Sequence, residues 1–288
     1  MSTVFRDDPK TLVSTAWLAA HLKDPDIRIF DASWYLPDMG RDAAAEFKAG
    51  HIPGARFFDI DEISDHRSEL PHMVPPVEKF MSRMRAMGVG DGHQIIVYDG
   101  LGIFSAARVW WLMRLMGHFN VAVLDGGLPK WQAEGRMITD QPATIRDRHM
   151  TVMRQNDMVK DVTQVAHASK LQNYAIIDAR PAPRFRGDAV EPREGMRSGH
   201  VPNSQNVPFG ELFNADGTMK NDAGIRAAFE QAGVDLNKPA ITTCGSGVTA
   251  AILCLGLERI GKTDHALYDG SWSEWGMFPD LPIATGDA

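Results

Sequence analysis

Short apolar runs alternate with segments of helical periodicity along most of this chain. Four runs in the first half predict strands: 27–30, 55–58, 95–98 and 121–124. Four segments with a helical period predict helices: 14–22, 77–87, 103–116 and 128–134. Near the end of the chain, Ser271 and Glu274 have the spacing of a helix capping box. Such alternation is typical of an α/β fold with mainly parallel sheets flanked by helices.

The sequence contains an internal repeat. Landmarks of the first half recur in the same order in the second, and the offsets lie between 144 and 149 residues: Asp31 with Asp178, His51 with His200, Asp99 with Cys244, Asp125 with Asp269, and Trp131 with Trp275. Five landmarks at a nearly constant offset indicate a duplicated domain. We therefore expect tandem domains over residues 1–140 and 157–288, joined by a linker over 141–156.

Composition narrows the class of protein. The 288 residues are 44% hydrophobic and 23% charged, as in globular proteins, and the net charge of -7 argues against a nucleic-acid partner. No apolar run is long enough for a membrane span, and the first ten residues lack the apolar core of a signal peptide. Two cysteines make neither a disulfide framework nor a cysteine zinc site. We expect a cytoplasmic protein that needs no metal or cofactor.

The segment Cys244-Gly245-Ser246-Gly247-Val248-Thr249 lies between a predicted strand and a predicted helix over 248–260. Glycines let successive N–H groups point into such a turn, and the start of a helix adds partial positive charge. Both favour a thiolate, the nucleophilic form of cysteine. The alternative is an inert cysteine, although the Gly-Ser-Gly turn offers little to bury it. Cys254, in an apolar helical run, is expected to lie in the core.

Differences between the copies bear on function. Asp99 stands where the second copy has Cys244, so the first copy is expected to play a supporting role. His51 and His200 are present in both copies, which favours a turn or capping role for each. Asp61 and His72 have no counterpart in the second copy. Considered alone, both are expected to be surface residues.

The second copy contains several arginines within eighteen residues: Arg180, Arg184, Arg186, Arg193 and Arg197. Such a cluster is usually a solvated face. It becomes an anion site if it lies beside the nucleophile, because guanidinium groups bind carboxylates in bidentate fashion.

These motifs together resemble the two-domain sulfurtransferases of the rhodanese superfamily, and the resemblance runs from about residue 12 to 278. The loop Cys-Gly-Ser-Gly-Val-Thr is similar to that of the mercaptopyruvate branch, whereas the thiosulfate branch typically has Cys-Arg-Lys-Gly-Val-Thr. The resemblance implies that Arg184 and Arg193 hold the donor's carboxylate and ketone. It further implies that Asp61, His72 and Ser246 lie together near Cys244, with the rest of the site formed by Gly245, Gly247, Val248 and Thr249. The segment 186–190 follows no family pattern.

The implied reaction moves sulfur from 3-mercaptopyruvate to a thiol through a persulfide at Cys244 and releases pyruvate. Thioredoxin or another small dithiol is the implied acceptor. Thiosulfate, a dianion, would benefit from cations inside the loop, whereas the single carboxylate of mercaptopyruvate suits cations outside it. Two alternatives stay open at this point: a thiosulfate sulfurtransferase and a non-enzymatic rhodanese-like binding module. A cysteine phosphatase would need an arginine where this chain has Ala250.

Overall fold

A computed structural model describes residues 6–287. The prediction that the first ten residues are no signal peptide therefore lies partly outside the described residues. The chain divides into two compact units. The first comprises residues up to 66, 74–155 and 214–219, and the second comprises 67–73, 156–213 and 220–288. Each half of the chain thus contributes one short segment to the other unit, an exchange that the sequence pattern did not predict.

The first unit contains one five-stranded sheet with helices between its strands. Its elements are β1 (Leu12–Val13), α1 (Thr15–His21), β2 (Ile27–Asp31), α2 (Ala43–Ala49), β3 (Ala55–Phe57), α3 (Val77–Ala86), β4 (Gln94–Tyr98), α4 (Ala106–Leu115), β5 (Val121–Leu124) and α5 (Gly127–Ala133). The strand order is β1-β5-β4-β2-β3, and every pair is parallel.

The second unit repeats this design. Its elements are β6 (Val159–Lys160), α6 (Val162–Leu171), β7 (Ala175–Asp178), α7 (Ala182–Arg186), β8 (Ser204–Asn206), α8 (Asp222–Gln231), β9 (Ala240–Thr243), α9 (Ala250–Arg259), β10 (His265–Tyr268) and α10 (Ser271–Trp275). The order β6-β10-β9-β7-β8 matches that of the first sheet, again with parallel pairs. The predicted α/β fold and the duplication are therefore confirmed.

The predicted strands fall where the structure has them because each contributes apolar side chains to a core. In the first unit Ile29, Ile96 and Trp131 belong to one buried cluster, and in the second Ile241 and Trp275 belong to its counterpart. Two helices begin later than predicted, α4 at Ala106 and α9 at Ala250, because the residues before them form the turns that follow β4 and β9. Between residues 6 and 287 no helix is both long and apolar enough to cross a membrane.

The repeated histidines have the structural role that was predicted for them. His51 Nδ1 bonds the carbonyl oxygen of Phe47 in α2, and His200 Nδ1 bonds that of Phe185 in α7, both at 2.8 Å. Each imidazole also stacks on the phenylalanine ring whose carbonyl it caps. Cys254 is fully buried in α9, as expected for a core cysteine.

Candidate active site

The loop of residues 244–249, called here the Cys244 loop, lies at the carboxyl edge of the second sheet. The last residue of β9, Thr243, pairs in parallel register with Asp178 at the end of β7. The loop then leads directly into α9. Ligands of parallel α/β sheets bind at this edge, where the loops after neighbouring strands converge.

The sulfur of Cys244 accepts a main-chain hydrogen bond within its own loop. Its Sγ accepts a hydrogen bond from the Gly247 N–H at 3.2 Å, in a turn that Gly247 makes with a φ of 79°. Only 2% of the residue is exposed, so the expectation that the turn would leave it uncovered is wrong. The start of α10 packs against this loop, since the N–H groups of Trp272 and Ser273 donate to the carbonyl oxygens of Cys244 and Gly245 at 2.9 and 2.8 Å.

Ser271 supports this loop instead of capping a helix. The predicted capping box with Glu274 is wrong, because Gly270 is the N-cap of α10 and no side chain caps it. The Ser271 hydroxyl donates to the Tyr268 carbonyl oxygen at 2.8 Å and accepts from the Cys244 N–H at 3.3 Å. Its φ of 49° is unusual for a residue other than glycine and indicates a conformation imposed by these contacts.

One of the clustered arginines, Arg184, lies at the Cys244 loop, and a second, Arg193, is within electrostatic range of Cys244. A Cβ built on Gly245 would be 3.3 Å from the Arg184 Nη2 atom, so the guanidinium lies directly against the loop. Burial and the like charge of Arg184 lower the pKa of Arg193, while Cys244 and Glu191 act in the opposite direction. Arg184, Arg193 and Cys244 are therefore close enough to interact electrostatically, as an anion site beside a nucleophile requires.

The other arginines of the cluster have different roles. Arg186 is partly exposed and pairs with Asp188, which fits a solvated face. Arg197 donates to main-chain carbonyl oxygens after α10, among them those of Gly276 at 3.2 Å and Leu281 at 3.0 Å. Arg197 therefore holds the end of the chain that follows α10.

Arg184 is oriented by a buried ionic network that sequence reasoning did not predict. Glu191, whose side chain is fully buried, accepts hydrogen bonds from Arg184 and, at 2.7 Å, from Arg180. Arg180 also binds both carboxylate oxygens of Asp178 and lies 4.3 Å from the ring centre of Trp272. Burial opposes the charge of Arg180, but Asp178 and Glu191 outweigh it and raise its pKa. The only sequence signal for Glu191 was its place in the motif that ends at Arg193.

His72 and Ser246 meet within the second unit. His72 belongs to the segment 67–73, and its Nδ1 atom lies 3.1 Å from Ser246 Oγ. Both residues are buried, and His72 has a φ of 60°. Asp61 belongs to the first unit, where its Oδ2 accepts a hydrogen bond from the Trp34 indole at 3.0 Å. The pairing of Asp61 with His72 stays a prediction.

The corresponding loop of the first unit, residues 99–105, is called here the Asp99 loop. The buried carboxylate of Asp99 accepts N–H donors from Leu101 at 2.8 Å, Phe104 at 2.7 Å and Ala106 at 2.8 Å. Main-chain donors in this turn thus converge on the carboxyl group of its first residue, and they oppose the burial that raises the pKa of Asp99. Among residues 6–287, no group of three His, Cys, Asp or Glu side chains is placed to hold a metal ion.

Comparison with known proteins places this geometry in a family. The Rhodanese-like domain family matches residues 14–134 and 161–277. The chain is 43% identical to a 3-mercaptopyruvate sulfurtransferase of Escherichia coli K12, over 94% of this chain and 96% of that protein. It is also 43% identical to "Thiosulfate/3-mercaptopyruvate sulfurtransferase 1, mitochondrial" of Arabidopsis thaliana, over 98% of this chain and 79% of that protein.

A solved structure agrees with the sequence comparison. The crystal structure of the 3-mercaptopyruvate sulfotransferase SseA from Escherichia coli matches with a TM-score of 0.84 and 42% identity, and the match covers 91% of this chain and 99% of SseA. Both family matches fall on the two sheets described above, one on each. The chain therefore belongs to the rhodanese family and contains two rhodanese-like domains.

Proposed function

We propose that this chain is a sulfurtransferase that moves sulfur from 3-mercaptopyruvate to a thiol acceptor through a persulfide on Cys244. The observation that carries the proposal is the Arg184 guanidinium against Gly245 of the Cys244 loop, and it is supported by the electrostatic interaction of Arg193 with Cys244. A nucleophilic sulfur and two cations at one edge of the sheet suit a donor that has its sulfur at one end and a carboxylate at the other.

In the first step the Cys244 thiolate attacks the thiol sulfur of 3-mercaptopyruvate. A sulfur–sulfur bond forms and the bond from sulfur to C3 breaks, so that its electron pair passes to the enolate of pyruvate. Arg184 and Arg193 hold the carboxylate and stabilise the charge on the enolate oxygen. The proton of the substrate thiol reaches C3 through Ser246 and His72, which share the hydrogen bond of 3.1 Å. In this proposal Asp61 orients His72.

The Asp99 loop supports the persulfide step. The carboxylate oxygens of Asp99 are two bonds from Cβ, and so is the outer sulfur of a cysteine persulfide. Three N–H groups bind those oxygens in the first unit. Because α4 begins at Ala106 and α9 at Ala250, the N–H groups of Val248 and Ala250 are the counterparts of those of Phe104 and Ala106. We infer that they hold the outer sulfur, with Gly245, Gly247 and Thr249 completing the wall.

In the second step an acceptor thiolate attacks the outer sulfur and Cys244 leaves as a thiolate. A small dithiol protein such as thioredoxin suits this step, because its second thiol can release the sulfur as sulfide and leave a disulfide. The low cysteine content, two in 288 residues, supports a proposed reducing compartment such as the cytoplasm.

Intact-protein mass spectrometry after exposure to 3-mercaptopyruvate tests the proposal. We expect the wild-type protein to gain one sulfur atom and the Cys244→Ser variant to gain none. Cys254→Ser is the matched control, because it removes the other thiol from the same unit and should still take up sulfur. A Cys244→Ser protein that gains sulfur would refute the assignment of the nucleophile.

Thiosulfate is the donor to compare, since one relative is named for both donors. We expect slower loading from thiosulfate, because the loop has Gly245 and Ser246 where cations would assist a dianion. Equal loading from the two donors would contradict the proposed preference for 3-mercaptopyruvate.

A further inference from the structure

The second unit contains a groove of about 330 Å³ at the amino edge of its sheet, called here the amino-edge groove. Its lining includes His200, Asn203, Gln205, Gly233 and Asp235. Ala175 and Ser204, the first residues of β7 and β8, also line it. The Cys244 loop lies at the carboxyl edge, so the groove has no part in the sulfur chemistry proposed above.

The equivalent surface of the first unit is covered by an extended stretch of this chain, residues 139–149. His51 Nε2 lies 3.1 Å from the carbonyl oxygen of Gln141, and Arg56 donates to the carbonyl oxygen of Thr144 at 3.2 Å. A Cβ built on Gly88 would be 3.0 Å from the carbonyl oxygen of Arg146, so the covering main chain passes directly over this glycine.

The two surfaces correspond residue by residue. His51 and His200 form equivalent antiparallel bridges, with Thr139 and with Ala284. β3 and β8 begin at equivalent register positions, which aligns Arg56 with Gln205.

The glycines of the two surfaces correspond as well. Gly88 and Gly233 follow helices α3 and α8 with φ values of 70° and 76°. A Cβ on Gly233, however, would meet no described atom within 4 Å. The second unit thus repeats the surface that holds an extended chain in the first. Ala284 and Asp287 line one end of it, and no described residue covers Gly233.

We propose that the amino-edge groove binds an extended segment of a partner polypeptide that carries a basic side chain. Gln205 supplies an amide where Arg56 donates to a covering carbonyl oxygen, and Gly233 leaves room for main chain. Asp235 is the counterpart of Gly90, where a Cβ would lie 2.5 Å from the carbonyl oxygen of His149. The side chain of Asp235 therefore blocks the path that the covering main chain takes past Gly90, and it places a carboxylate at the end of that path.

The exposed carboxylate of Asp235, at the end of this path, favours a basic side chain there. Asp287 also lines the groove but pairs with Arg186 at 3.8 Å, and Lys238 supplies one ammonium group. Burial lowers the pKa of His200, which is therefore mostly neutral near pH 7 and adds little positive charge. A segment with an arginine or lysine at its carboxyl end would pair with Asp235 after its main chain has crossed Gly233.

A capped peptide with the sequence of residues 139–149 of this chain is a direct probe, because it is the segment that the equivalent surface holds and it contains Arg146 and Arg148. We expect saturable binding to the full-length protein with a Kd of about 1 mM or tighter by fluorescence anisotropy. Amide chemical shifts of the ¹⁵N-labelled protein should move at residues 203–205 and 233–238 and stay in place at the Cys244 loop. The absence of saturable binding, or shifts confined to other surfaces, would overturn the proposal.

Matched substitutions locate the binding site. Gln205→Trp fills the groove and should abolish peptide binding, whereas Gln132→Trp makes the same change on an exposed position of α5 and should leave binding unchanged. Asp235→Lys should weaken binding of the arginine peptide about tenfold and improve binding of a peptide with glutamate at both arginine positions. Equal binding of the two peptides by the wild-type protein would refute the role of charge. All three variants should keep sulfur transfer, because the groove lies at the other edge of the sheet.

Discussion

Replacing Glu191 with glutamine tests whether the buried ionic network orients Arg184. The substitution keeps the size of the side chain but removes the charge that Arg180 and Arg184 share. Arg180 keeps its paired hydrogen bonds to Asp178. Arg184, whose side chain is 24% exposed, loses its carboxylate partner and becomes free to adopt other rotamers.

The expected magnitude has two parts. Removing one member of a buried ionic network costs about 3–5 kcal/mol, and the pairing of Arg180 with Asp178 favours the lower value. A loss of about 3 kcal/mol corresponds to a fall in Tm of roughly 6–12 °C for a unit of this size. If the Arg184 guanidinium moves by about 1 Å, turnover of a donor that depends on it should fall about 100-fold.

Steady-state kinetics with two donors separates orientation from loss of structure. For Glu191→Gln we expect kcat/KM for 3-mercaptopyruvate to fall about 100-fold, and loading by a polysulfide, which has no carboxylate, to change little. Glu191→Asp should recover part of the loss. Glu46→Gln is the matched control, since Glu46 pairs with Arg41 at a partly exposed position and its loss should cost under about 1 kcal/mol.

Two results would refute this reasoning. An equal fall with both donors would mean that Glu191 stabilises the unit without orienting Arg184. Unchanged kinetics with 3-mercaptopyruvate would mean that Arg184 does not bind the carboxylate. Failure of the wild-type protein to use 3-mercaptopyruvate would instead refute the proposed function, so the two ideas can be told apart.

Three further predictions concern single positions. Gly245→Arg places a second cation against Arg184, so kcat/KM for 3-mercaptopyruvate should fall at least about tenfold at unchanged Tm; full activity would show that Arg184 lies outside the site. Partial burial raises the pKa of Glu134, but hydrogen bonds from Lys130, Thr15 and Arg136 outweigh it and lower the pKa to about 2. Glu134 therefore stabilises the fold above about pH 4.3, and this contribution is lost as the pH falls through 2. Urea unfolding should find Glu134→Gln less stable than wild type by under about 1 kcal/mol at pH 7 and equal to it below pH 2; a constant difference would contradict this. Asp99→Ala leaves buried N–H groups unpaired and should lower the free energy of unfolding by at least about 2 kcal/mol while sulfur loading at Cys244 continues; loss of loading in the folded variant would contradict the separation of roles.

Local sequence patterns were enough to predict the α/β class, the duplication and Cys244 as the candidate nucleophile. Strands and helices follow local periodicity, and the order of repeated landmarks such as His51 and His200 does not depend on the tertiary fold. The Cys244 loop was recognisable because its glycines and the following helix are adjacent in sequence. The predicted capping box at Ser271 is wrong because residue spacing does not reveal tertiary contacts. The Ser271 hydroxyl is hydrogen-bonded to the Tyr268 carbonyl oxygen and to the Cys244 N–H instead.

Tertiary structure alone decided which residues meet. His72 joins the second unit and reaches Ser246 across 174 residues of sequence, and a single glutamate, Glu191, serves two arginines in the interior. It also decided that residues 139–149 cover one amino edge, whereas no described residue covers Gly233 at the other. Such contacts depend on which distant segments folding brings together. The free-energy cost of burying a charge depends on these neighbours and not on sequence spacing.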